Sequence, residues 1–209
     1  GPKDGHGTVN MKDAMAQSCN CYFSTVGEMI GYEDILMTAR KLGYGEATLK
    51  DFPEETAGNV PENEETGVWD TSNISIGQGQ LLATPIQVCQ MTAVIANGGY
   101  LVKPRLVMGE TLLKENVASN ENTKLIEEYL KAVIDEGTGM SRWNTRVYGK
   151  TGTAEAGSGG AAENVCWFTG YCRQNEKNYV ITVMTEGGES ATSDALPIFK
   201  RITDFLAVL

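Results

Sequence analysis

The stretch Val147-Tyr148-Gly149-Lys150-Thr151-Gly152-Thr153-Ala154-Glu155 decides how this chain is read. Between Lys150 and Thr153 it sets a cation, two hydroxyls and a glycine side by side, flanked by an apolar strand start and a Gly-rich loop. In an extended backbone Lys150 and Gly152 fall on one face and Thr151 and Thr153 on the other, unless the strand twists or ends there. Gly152 carries no Cβ, so a ligand or another backbone can come close to it. Such a combination suits a carboxylate. Taken alone, the run also fits a polar strand end that turns into a loop. A phosphate loop of the form G-x-x-x-x-G-K-[ST] does not fit. Asn144 stands where the first glycine is needed, and Gly152, Gly157, Gly159 and Gly160 oppose a helix opening there.

The rest of the composition narrows the function classes. A chain of 209 residues with 41% apolar and 21% charged content suits one folded domain, or one with a small appendage, with a sizeable core. Its net charge of -10 excludes sequence-independent binding to nucleic acid, which rests on clustered Lys and Arg. No apolar run is long enough to span a bilayer, and the start from Gly1 to Gly7 has no signal-peptide pattern. Gly1-Pro2 reads as the remnant of a cleaved tag, from which a longer natural protein is expected. The five cysteines, Cys19, Cys21, Cys89, Cys166 and Cys172, form no C-x-x-C pair, and His6 is the single histidine. Zinc or a disulfide framework is therefore disfavoured, buried free thiols are expected for most of the cysteines, and no metal or cofactor is expected.

Hydrophobic spacing predicts a buried helix from Met11 to about Gly31, broken or bent around Ser18-Cys19-Asn20. A second helix, Glu33 to Leu42, is closed by Gly43. Tyr44 to Asp70, rich in Gly, Pro and acid, reads as a long surface loop. Thr84 and Pro85 then start a core helix that stops at Asn97-Gly98-Gly99. Tyr100 to Val107 reads as an edge strand. Thr123 to Asp135 reads as an amphipathic helix with Leu125, Ile126, Tyr129, Leu130, Val133 and Ile134 inward and Glu127, Glu128 and Lys131 in water. After the Lys150 strand, Val165 to Tyr171 and Tyr179 to Thr185 form an antiparallel hairpin around the turn Arg173 to Asn178. Asp194 to Leu209 closes the chain as a helix with Ile198, Ile202, Phe205, Leu206 and Leu209 on one stripe. The pattern is α+β, with helices against an antiparallel sheet plus a helical lobe.

With these pieces placed, the chain from His6 to Phe205 resembles the transpeptidase domain of class B penicillin-binding proteins. The motifs come in that family's order. Gly5-His6-Gly7 leads into Ala16-Gln17-Ser18-Cys19-Asn20-Cys21-Tyr22-Phe23, which is similar to the S-x-N motif in its S-C-N-x-Y-F setting. Ile76-Gly77-Gln78-Gly79 and Ala83-Thr84-Pro85-Ile86-Gln87 follow, then Ala96-Asn97-Gly98-Gly99 and Glu136-Gly137-Thr138-Gly139. Gly149-Lys150-Thr151-Gly152-Thr153-Ala154 and Trp167-Phe168-Thr169-Gly170-Tyr171 complete the series.

The resemblance implies acyl transfer through a serine ester, with peptidoglycan stem peptides or β-lactams as ligands. It assigns Ser18 a hydrogen-bonding and proton-relay role and Asn20 a bond to the substrate's peptide group. Lys150 would attract the substrate carboxylate and take part in proton transfer. Thr151, Gly152 and Thr153 would bind substrate through two hydroxyls and close backbone, with the Thr153 N–H as one oxyanion donor. The family's nucleophile lies in an S-x-x-K motif before S-x-N. None of the nine serines here has a lysine three positions later. Residues 1–209 are thus expected to be a partial transpeptidase domain, lacking the first strands and the nucleophile helix, inactive alone, and open to self-association through an exposed sheet edge. The family implies a location on the outer face of the cytoplasmic membrane. Two alternatives stay open: a non-catalytic module that binds peptidoglycan or a partner, and, further off, a serine β-lactamase relative.

Overall fold

A computed structural model describes residues 5–49, 52, 54–62, 68–106, 114–156 and 163–209. The chain divides into two compact units, one formed by residues 1–19 and 125–209 and the other by residues 20–124.

The first unit is built on a three-stranded antiparallel sheet. Its strands are β3 (Arg146–Ala156), β4 (Glu163–Gln174) and β5 (Lys177–Glu186), in the spatial order β3-β4-β5; β1 (Tyr100–Val102) and β2 (Lys114–Asn116) belong to the other unit. The sheet forms because β4 alternates: Cys166, Phe168 and Cys172 are buried at every second position and join Val147, Val183, Leu196 and Phe199 in one core. Phe168 and Phe199 rings lie 4.5 Å apart, and Trp143 closes over both. On β3 and β4, Tyr148 and Tyr171 stack at 4.8 Å. The β4–β5 turn is tighter than the expected Arg173 to Asn178 span. Gln174 pairs with Lys177, so only Asn175 and Glu176 turn, both at positive φ (49° and 62°). That is a two-residue hairpin turn made without the glycine that usually marks it.

At one point of this sheet two glycines face each other, Gly149 and Gly170. A Cβ on Gly170 would lie 2.2 Å from the Tyr148 carbonyl oxygen and 2.8 Å from Gly149 Cα. A Cβ on Gly149 would lie 2.7 Å from the Phe168 ring. The residue before Lys150 is therefore held against β4 more closely than any side chain permits.

Two helices of this unit depart from the sequence reading. In α7 (Ala195–Leu206) the buried residues are Ala195, Leu196, Phe199 and Thr203, whereas Ile198, Ile202, Phe205 and, beyond the helix, Leu209 are exposed. Both faces carry apolar residues, and the i, i+4 run from Ile198 is the outer one; Thr203 is tolerated inside because its hydroxyl donates to the Lys200 carbonyl. In α6 (Asn120–Glu136) Leu130, Val133 and Ile134 are buried as expected, but Leu125 is exposed. Glu127, expected in water, instead accepts from Tyr171 Oη at 2.7 Å and from the Arg173 guanidinium. A helix period alone cannot anticipate that partner, which arrives from a strand 44 residues further on.

The second unit contains α2 (Asn20–Ile30), α3 (Tyr32–Lys41), α4 (Val68–Ser75), α5 (Pro85–Ala96) and the pair β1 (Tyr100–Val102) and β2 (Lys114–Asn116). The helical stretch from Met11 breaks where a break was expected, around Ser18-Cys19-Asn20, and does not run on as one helix: it is α1 (Met11–Ala16), which belongs to the first unit, and α2. Nor is α2 buried all round, since Met29 is 82% exposed and Cys21 is exposed. The expected loop from Tyr44 ends in α4, and residues 50, 51, 53 and 63–67 of it lie outside the described residues, as does Val107 of the expected edge strand. Tyr32, Leu36 and Ile74 form a small core with Val60 and Leu81.

The α5 start is as expected: Thr84 Oγ1 accepts from Gln87 N, and Gln87 Oε1 accepts from Thr84 N, a reciprocal cap. The helix is buried through amides as well as apolar residues. Gln87, fully buried, donates to the carbonyls of Glu46 (2.9 Å) and Ala57 (2.8 Å), so one side chain ties the loop to the helix. Cys19, Cys166 and Cys172 are buried thiols.

Candidate active site

The Ser18 end of the site is made by how α1 stops. Cys19 N donates to Ala14 O at 2.9 Å and Ser18 N donates to Met15 O at 3.2 Å. This is a Schellman cap, and Ser18 occupies its left-handed position with φ 55°. Glycine is the usual residue there; a side chain costs about 1 kcal/mol. The cost has an evident return, because this backbone aims Ser18 Oγ at Lys150, whose Nζ donates to it at 2.8 Å across 132 residues of sequence. We expect Ser18→Gly to leave unfolding free energy unchanged or to raise it by about 1 kcal/mol, measured by urea denaturation. A comparable loss would show that the hydroxyl is there for stability.

Lys150 lies in the middle of β3 opposite Thr169. Its ammonium bends across the strand, donating also to the Thr151 carbonyl at 2.9 Å and to Thr151 Oγ1 at 3.3 Å. All three of these acceptors are neutral oxygens. Burial lowers the Lys150 pKa from 10.5 to about 8. Near neutral pH the group is therefore mostly a cation, with a usable fraction of free amine. A cation seated among neutral dipoles attracts an anion, and an amine of lowered pKa can exchange a proton.

Thr151 and Thr153 share a strand face, opposite Phe168 and Cys166 respectively. Thr151 is 8% exposed, and its Oγ1 lies 2.6 Å from Thr138 Oγ1. Thr153 Oγ1 accepts from Ala191 N at 3.0 Å. The loop carrying Ala191 is gathered by Asp194, whose Oδ2 accepts from Glu189 N (3.0 Å), Ser190 N (3.1 Å) and Ser193 Oγ (2.6 Å). Those bonds, the Ser193 hydroxyl first, hold the Asp194 carboxyl below its ordinary pKa. At Gly152 an added Cβ would meet nothing nearer than Trp167 Cβ at 3.6 Å. That is ordinary contact, so internal packing does not demand glycine there.

The structure thus joins Ser18, Lys150 and Thr151 in one hydrogen-bonded group, with Gly152 and Thr153 continuing along the same strand. Asn20 opens α2 in the second unit and is exposed. Thr138 and Asp194 carry no functional signal in the sequence. Thr138 shows there as the centre of the G-T-G run that ends α6, and Asp194 only as a helix start, with nothing in its neighbourhood to signal the loop it organises.

Known proteins share the fold of this chain. The family described as penicillin binding protein transpeptidase domain matches residues 1–204. A peptidoglycan D,D-transpeptidase MrdA of Acinetobacter baumannii is 31% identical over 94% of this chain and 35% of its own length. The protein of the same name from Haemophilus influenzae is 28% identical over 97% of this chain and 37% of its own. Among solved structures, the complex between penicillin-binding protein PBP2 and MreC from Helicobacter pylori matches with a TM-score of 0.87 and 27% identity, over 98% of this chain and 41% of that one. The chain therefore spans little more than a third of the curated relatives it matches.

Proposed function

The chain belongs to the penicillin-binding protein transpeptidase domain family, and on that premise we propose that it forms the carboxylate-holding, proton-relaying wall of a D,D-transpeptidase site. The observation that carries the reading is the contact between Lys150 Nζ and Ser18 Oγ at 2.8 Å. Two segments of the family's motif series, far apart in sequence, meet there within one unit.

In this reading Lys150 and the Thr151 and Thr153 hydroxyls hold the terminal carboxylate of a peptidoglycan stem peptide or of a β-lactam. The Thr153 N–H stabilises the oxyanion that develops on the acyl carbonyl oxygen when the acyl carbon is attacked. Ser18, hydrogen-bonded to Lys150, passes the proton between the attacking hydroxyl and the leaving amine. Asn20 bonds the peptide group of the substrate. The attacking serine is supplied by an S-x-x-K segment, and none occurs within these 209 residues. The parent protein acts on the outer face of the cytoplasmic membrane. Among the described residues no helix is long and apolar enough to cross a membrane.

A serine hydroxyl 2.8 Å from a lysine amine of lowered pKa is also the arrangement of a nucleophile beside its base. Incubation of the chain with a fluorescent penicillin separates the two readings. We expect no covalent band after denaturing electrophoresis. A hydroxylamine-sensitive adduct mapped to Ser18, or to any other serine of the chain, would make Ser18 or that residue a nucleophile and overturn the assignment of a wall without one.

A further inference from the structure

The Glu136-Gly137-Thr138-Gly139 segment has no part in the function described so far. It closes α6, and Thr138 makes two bonds that reach both halves of the site. Its backbone N–H donates to the Ala16 carbonyl at 3.1 Å, two residues before Ser18. Its hydroxyl lies 2.6 Å from Thr151 Oγ1, the residue next to Lys150. Gly137 makes the first bond possible: a Cβ there would lie 2.2 Å from Ala16 O and 2.8 Å from its carbonyl carbon. On the far side, the Thr138 carbonyl accepts from Thr192 Oγ1 at 3.4 Å, in the loop that also holds Thr153 through Ala191 N.

We propose that Thr138 is a positioning residue that clamps the Ser18 cap to the Lys150 strand and fixes the direction of the Thr151 hydroxyl toward a ligand carboxylate. The hydroxyl bookkeeping supports this. A threonine oxygen has one proton to give and two lone pairs to receive with. One lone pair of Thr151 Oγ1 faces the Lys150 ammonium at 3.3 Å. When Thr138 donates into the other, both are occupied, and the Thr151 proton is the one left to point outward. Without Thr138, Thr151 can turn about its χ1 bond. Because Thr151 is only 8% exposed, bulk water is poorly placed to restore its orientation.

The ligand half of this inference rests on the function proposed above; the clamp itself does not. Two readouts keep them separate in wild-type chain, Thr138→Val, which removes the hydroxyl while keeping the N–H and the volume, and Thr138→Ser, which restores the hydroxyl. The first is the Thr151 χ1 rotamer, from three-bond NMR couplings. The second is the reversible affinity for benzylpenicillin, from amide shifts at Gly152 and Thr153. We expect a single Thr151 rotamer in wild type and Thr138→Ser, and rotamer averaging in Thr138→Val with roughly tenfold weaker penicillin binding. A single unchanged rotamer in folded Thr138→Val overturns the clamp, whatever the affinity does. An averaged rotamer with unchanged affinity overturns its role toward the ligand. Absence of penicillin binding in wild type defeats the functional reading and the ligand half, and leaves the clamp to be decided by the rotamer. Should Thr138→Val fail to fold, Thr138→Ala removes the same hydroxyl with less apolar bulk and takes its place.

Discussion

Replacing Lys150 by methionine is expected to slow penicillin acylation about a thousandfold in a longer protein that joins this chain to an S-x-x-K serine, and at the same time to stabilise the fold. The rate loss follows because methionine keeps the stem but removes the cation that faces the ligand carboxylate and the bond to Ser18 Oγ at 2.8 Å. Fluorescent-penicillin labelling rates measure it; acylation within a few-fold of wild type would refute the role of Lys150. The stability gain follows from the same burial that lowers its pKa from 10.5 to about 8. Between those values the unfolded chain binds more protons than the folded one, so wild-type stability rises with pH across that window. The penalty for burying the charge is fully present below pH about 8 and has gone above about 10.5. The gain from Lys150→Met is thus on the order of 2–3 kcal/mol near pH 7, less what the three lost hydrogen bonds supplied, and fades as pH rises through the window. Urea unfolding at pH 7 and pH 10 reads it. A gain that grows with pH would contradict the sign.

The second large effect concerns stability alone. Gly170→Ala puts a Cβ 2.2 Å from the Tyr148 carbonyl oxygen and 2.8 Å from Gly149 Cα, both backbone atoms of the neighbouring strand. No rotamer change relieves such a clash, so β3 and β4 must move apart beside Lys150. A loss of about 3 kcal/mol or more is expected, at the upper end of single substitutions. Gly152→Ala is the matched control, because its Cβ would sit at an ordinary 3.6 Å from Trp167 Cβ. Thermal unfolding of both variants tests the pair. Equal, small losses would mean that the two strands do not approach as described.

Much of this was legible before the structure. The hairpin after Lys150, the α5 cap at Thr84 and the stop at Gly137 all rest on local signals, namely alternation, a capping side chain and glycine after a periodic run. The missing parts are those where a long-range partner overrides the local pattern. In α7 two apolar faces compete, and only the sheet decides that Phe199 rather than Ile202 turns inward. Glu127 reads as a solvated charge until Tyr171 and Arg173 arrive from β4. The same limit shaped the site. The residue types at Ser18, Lys150 and Thr151 were visible, and their order with other motifs gave the family. The left-handed cap that aims Ser18, the lowered pKa of Lys150 and the bridging position of Thr138 are tertiary properties, which no spacing rule records.

Most directly, the central claim is tested by following the Lys150 Cε resonance of the chain against pH, with and without benzylpenicillin. A titration midpoint near 8 that moves upward when the carboxylate ligand is added is the predicted result, since an anion beside the amine favours its charged form. A midpoint at the ordinary 10.5, unmoved by penicillin, would contradict the account: Lys150 would then be a solvated surface lysine with no ligand to hold.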